Sequence, residues 1–97
     1  SLGYAVGKKA GAPQGSSVRF VLTGPLSGRF DVVVEERAQV VDVIRGTPTV
    51  TIEVPGDAFI RIGAGRVAEG DAVKLANRID GDRALGEQIL DGMAYMI

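Results

Sequence analysis

The chain predicts an α+β domain: a mostly antiparallel sheet of about five strands with helices packed on one face. Three observations carry that expectation. Apolar residues recur with period two from Val18 to Val54, the spacing turns helical after Pro55, and Gly, Pro and Asp stand where turns and helix ends need them. Helical segments gathered after a run of strands pack together on the sheet those strands form.

Residues 1–16 read as a linker or the remnant of an upstream element. Leu2, Tyr4, Ala5 and Val6 would close one helical turn, but Gly7, Gly11, Pro13 and Gly15, with Lys8 and Lys9 among them, favour flexible chain. The domain proper is expected over 17–97. Val18, Phe20 and Leu22 alternate with Arg19, Val21 and Thr23, and Gly24-Pro25-Leu26-Ser27-Gly28 supplies a hairpin turn. Phe30, Val32 and Val34 take the inward face of the second strand, opposite Asp31, Val33 and Glu35. The run from Gln39 to Ile44 is β-branched and nearly continuous, which predicts a central strand or one covered on both faces. After a turn at Arg45-Gly46-Thr47-Pro48, Val50, Ile52 and Val54 alternate with Thr49, Thr51 and Glu53. Short turns between these runs predict an antiparallel meander.

Beyond Pro55, Asp57 offers an N-cap carboxylate, Phe59, Ile60 and Ile62 an apolar helix face, and Gly63 and Gly65 a stop. Another helical turn is expected over Glu69 to Lys74 and a short strand around Ala76 to Asp80. Asp82 then caps a closing helix on which Leu85, Ile89 and Met93 recur at helical spacing, with Leu90 and Met96 beside them.

Composition narrows the chemistry. A chain of 97 residues buries roughly two-thirds of its unfolded surface, which suffices for one modest core. Eleven Lys and Arg against twelve Asp and Glu give a net charge of −1, and no basic excess for a nucleic-acid partner. No apolar run approaches the roughly 18 residues that span a bilayer, and no secretory layout opens the chain, so no membrane partner and a cytoplasmic location are expected. The chain has no Cys and no His, which removes thiolate and imidazole nucleophiles, bases and metal ligands.

The ordered series Asp57, Phe59, Gly65-Arg66 and Gly81-Asp82, with the amphipathic helix that follows, resembles the closing segment of the sterol-carrier-protein-like fold. The version it most resembles is the C-terminal domain of the mycothiol-dependent maleylpyruvate isomerase family, over about Val18 to Leu90. The resemblance implies an accessory domain that closes an active-site cleft and supplies an arginine, without being catalytic alone. Its partner would be an upstream metal-binding helical-bundle domain. Mycothiol and a divalent metal are implied for the full-length family, while this chain itself holds no cofactor and no metal ligand.

Arg66 is the catalytic candidate: a guanidinium in a loop after a helix break can orient a carboxylate through two parallel hydrogen bonds or stabilise an enolate. Arg61 and Phe59 are the substrate- or ligand-binding candidates. Simpler roles compete with these. Arg66 would cap the preceding helix or pair with Glu69 or Asp71, and Arg61 would lie on the solvated face. Glu35 and Glu36 are adjacent, so on a strand they point to opposite faces and form no carboxylate pair. Two alternatives to the accessory role remain. One is a small lipid or sterol carrier with a tunnel at Phe59 and Met93. The other is a structural module forming a homodimer through a strand edge or the Met93–Ile97 patch.

Overall fold

Alternation on one face of each strand requires a cover, and in the computed structural model, which describes residues 1–68 and 70–94, helices provide it. The strands are β1 (Ser17–Thr23), β2 (Gly28–Val34), β3 (Ala38–Val41), β4 (Val50–Pro55) and β5 (Arg78–Gly81). The helices are α1 (Leu2–Tyr4), which continues as a π-helical turn over Ala5–Lys9, then α2 (Gly56–Gly63), α3 (Ala72–Leu75) and α4 (Arg83–Met93). Val18 and Phe20 of β1, Val32 of β2 and Val50, Ile52 and Val54 of β4 meet Ile62 of α2 and Ile89, Leu90 and Met93 of α4 in one sealed core.

The sheet order is β3-β2-β1-β4-β5, with β1 and β4 parallel and the other pairs antiparallel. This corrects the expected meander. The chain leaves β3 at the sheet edge and crosses the face away from the helices to pair β4 with β1. Ser17 and Thr49 fasten the landing, each backbone N–H donating to the other's hydroxyl at 2.9 and 3.1 Å. The β-branched run at 39–44 is thus an edge with Gln39 and Val40 exposed, not a central strand, because β3 pairs with β2 alone and Ile44 already belongs to the crossover, where it is buried.

Residues 2–12 do not behave as the linker half of the reading for residues 1–16. The Ala10 N–H donates to the Ala5 carbonyl at 2.8 Å, a five-residue π-type step, and Ala5 and Val6 are fully buried. A β-carbon on Gly3 would lie 2.8 Å from the Ala38 carbonyl oxygen, and one on Gly7 would lie 2.9 Å from the Ala38 β-carbon. These glycines allow the helix to approach β3 closely, and that contact protects one end of the sheet edge. Gln88 of α4 ties the segment down by donating to the Ala10 and Gly11 carbonyls at 2.8 and 3.2 Å.

Helix α2 starts without the expected aspartate cap. Pro55 occupies the capping position and Asp57 lies inside the first turn, where its charge favours the helix dipole without a capping bond. Ile60 is exposed, so the buried stripe is Ala58 and Ile62 with Phe59 at its margin. By contrast, Asp82 caps α4 as expected, its Oδ1 accepting from the Leu85 N–H at 3.0 Å. Asp82→Ala should lower unfolding free energy by about 1 kcal/mol, read from the midpoint of urea denaturation. The expected turn over 69–74 is displaced to α3, with Glu69 and Met96 outside the described residues.

Candidate functional site

The helix break that places Arg66 is a Schellman closure. The Arg66 N–H donates to the Arg61 carbonyl at 3.0 Å and the Gly65 N–H to the Ile62 carbonyl at 3.1 Å, with Gly65 at φ 71°. Arg66 therefore helps to end α2 through its backbone, while its side chain and that of Arg61 stand in solvent. Asp71, one of the two expected partners of Arg66, instead pairs with Lys74 at 3.3 Å.

Phe59 points elsewhere. Two residues along a helix turn the direction by about 200°, so Phe59 and Arg61 face opposite sides of α2. The structure does not gather Phe59, Arg61 and Arg66 into one site. Among the described residues no three acidic side chains come together as metal ligands.

Phe59 joins an aromatic cluster that sequence reading missed. Its ring lies 5.2 Å from Phe20, tilted by 58°, and 5.9 Å from Phe30, stacked within 14°. Phe20 is sealed in the core, whereas Phe30, expected inward like Val32, remains 41% exposed at the rim. On the same helix-side face, Val40 of β3 sits opposite Val32 and is 52% exposed. The helix layer thus leaves two gaps, one at Phe30 near the start of β2 and one at Val40 toward the β2–β3 hairpin.

A cleft of about 880 Å³ opens beside Val40, between the N-terminal helix and the β2–β3 hairpin. Tyr4, Val34, Ala38 and Val40 supply apolar wall, with Lys8, Glu35, Glu36 and Arg37 at the polar margin. The volume falls within the range of small-molecule sites. The expected tunnel position at Met93 is occupied by packed core, for Met93 is buried between α4 and the sheet. The tunnel's Phe59 end instead adjoins the exposed rim.

On the opposite face of the sheet, Asp31 is buried. Arg19 donates to both its carboxylate oxygens at 3.0 Å, and the Ile44 N–H donates to Oδ2 at 2.9 Å. Arg19 and Arg29 hold the Asp31 carboxyl below the usual carboxylate range, helped by the Ile44 amide and against the effect of burial. This site anchors the crossover; it offers no vacant group for chemistry. Among the described residues no helix is long and apolar enough to cross a membrane.

No family model and no curated protein matches the sequence. Solved structures do match its shape. A sterol carrier protein 2-like 2 from Aedes aegypti aligns over 93% of this chain and 87% of its own, at 16% identity and TM-score 0.63. A protein described as UbiJ-SCP2, a ubiquinone synthesis protein, aligns over 96% and 76%, at 16% identity and TM-score 0.62. Apo sterol carrier protein 2 from Yarrowia lipolytica aligns over 97% and 77%, at 10% identity and TM-score 0.52. What they share with this chain is architecture, a five-stranded mixed sheet with helices on one side, and the chain accordingly has the sterol-carrier-protein-like fold.

Proposed function

We propose that this chain is a small apolar-ligand carrier module. The observation that carries the reading is the incomplete helix layer, which leaves Val40 half-exposed beside a ligand-sized cleft between the N-terminal helix and the β2–β3 hairpin. Sterol carrier proteins among the structural neighbours support it. The wall of Tyr4 and Val40 suits an acyl or ring body, and the mixed charges of Lys8, Arg37, Glu35 and Glu36 suit a polar head. Displacement of a fluorescent fatty-acyl probe tests this. Saturable displacement is expected, weakened at least about tenfold by Val40→Glu, since a charge would be set against the apolar body. Absence of saturable displacement, together with native mass spectra free of co-purified lipid, would end the reading.

A second reading is the accessory role beside a metal-bearing bundle in a mycothiol-dependent isomerase. Its support is the exposure of Arg61 and Arg66 at the end of α2. Metal and mycothiol would both belong to the other domain, because this chain lacks His and Cys and its described carboxylates form no ligand set. Arg66→Ala separates the two readings. It leaves probe binding unchanged if the chain is a carrier, and it lowers maleylpyruvate turnover of the complex with the bundle if the chain is an accessory domain.

A further inference from the structure

The two strands that end the sheet are finished differently. At β3, Ala38 lies against Gly3 and Gly7 of the N-terminal helix, whereas β5 pairs with β4 alone and exposes Arg78, Asp80 and Gly81. The Asp82 N–H donates to the Thr49 carbonyl. Alternation along an antiparallel pair therefore turns the Asp80 backbone toward β4 as well, and the Ile79 N–H and C=O outward. An edge of this kind is a template for another strand. On the helix side, a β-carbon on Gly86 of α4 would lie 2.6 Å from Ile79 Cγ2, so α4 seats closely on a strand that it leaves only partly covered.

The side chains of β5 specify which strand fits. Arg78 and Asp80 share the face away from the helices, where they pair with each other at 2.8 Å while both stay more than half-exposed. Their neighbours across β4 are Glu53 and Thr51. Pairing β5 with itself, antiparallel about a two-fold axis at Ile79, sets Arg78 opposite Asp80 of the partner subunit, twice by symmetry. The outward Ile79 groups then exchange two hydrogen bonds on the axis, and charge alternates in sign from Glu53 through Arg78 to Asp80 of the partner subunit. Moving the axis by one residue would bring Arg78 opposite Arg78 of the partner subunit, or Asp80 opposite Asp80 of the partner subunit. Like charges directly opposite are destabilising, so the charges select one register. An exposed ion pair within one chain contributes little, and its members can change partners at small cost.

We infer that β5 docks a second copy of this chain through this register, doubling the five-stranded sheet. The cleft at Val40 lies beside β3 at the other end of the sheet, so the dimer leaves it open and the inference is independent of the carrier reading. A strand of four residues makes a small interface, and association is accordingly weak. Sedimentation equilibrium from about 1 μM to about 1 mM tests it. Wild type is expected to pass from monomer toward dimer. R78D and D80R each set like charges across the junction and should weaken association at least about tenfold, whereas R78D/D80R restores opposite charges and should return it to within about threefold of wild type. If one single variant fails to fold, the other reads the same register. The Ile79 amide should also gain protection from hydrogen exchange as the dimer forms. Wild type that remains monomeric at about 1 mM would overturn the inference. So would a dimer indifferent to the single reversals, a double variant that stays dissociated, or an Ile79 amide whose exchange is the same in monomer and dimer.

Discussion

Replacing Gly81 by alanine is expected to lower unfolding free energy by about 3 kcal/mol or more. Gly81 closes β5 at φ 93°, a conformation that an L side chain resists, and an added β-carbon would lie 2.5 Å from the Thr49 carbonyl oxygen. That same oxygen accepts from the Asp82 N–H at 2.9 Å, so relief of the clash would loosen the first turn of α4. Strain and lost pairing therefore act on one junction. For a domain of this size the loss corresponds to a fall in Tm of upward of about 12 °C, measured by calorimetry. Gly63→Ala supplies the contrast. At the end of α2 its β-carbon would meet nothing within 4 Å, so that substitution should be neutral or raise stability by up to about 1 kcal/mol.

Gly81 and Asp82 show what the sequence makes legible: a backbone requirement and its cap lie next to one another in the chain. Period-two alternation likewise reveals Val50, Ile52 and Val54, because burial on one sheet face is local information. Strand order is different. Alternation is the same whichever neighbour a strand pairs with, and the β-branched run after Gln39 carries no mark that distinguishes a centre from an edge. Glycines mislead for a related reason. Gly3 and Gly7 signal flexibility when read alone, yet they serve close contact with Ala38, a residue far along the chain. The cleft is hidden by the same separation, since Tyr4 and Lys8 meet Arg37 and Val40 only after folding. Phe59 could be singled out as an aromatic residue on a short helix, but its partners Phe20 and Phe30 depend on the register of two strands.

Asp31 is the strongest case of a role that alternation misassigned, and it carries a pH signature. Its position on the face opposite Val32 suggested solvent, but the β3–β4 crossover covers that face and leaves the carboxylate side chain with 0% exposure against 24% for Arg19. Asp31→Ala removes the acceptor of the buried Ile44 N–H and both bonds from Arg19. The expected loss is about 2–3 kcal/mol, below that for a pair buried on both sides because Arg19 can turn to water. Its folded pKa is depressed, first by the Arg19 hydrogen bonds, so in the acid range the unfolded chain binds the proton more readily than the native state. The stabilisation is thus fully present above the unfolded value of about 3.9 and disappears as pH falls through the lower folded value. Wild type should lose stability over that interval more steeply than Asp31→Ala, whose curve lacks this titration. Parallel curves from denaturant unfolding at stepped pH would refute the assignment. A difference confined to that interval would locate the pH dependence at the one carboxylate that anchors the crossover and, through it, the parallel pairing of β1 with β4.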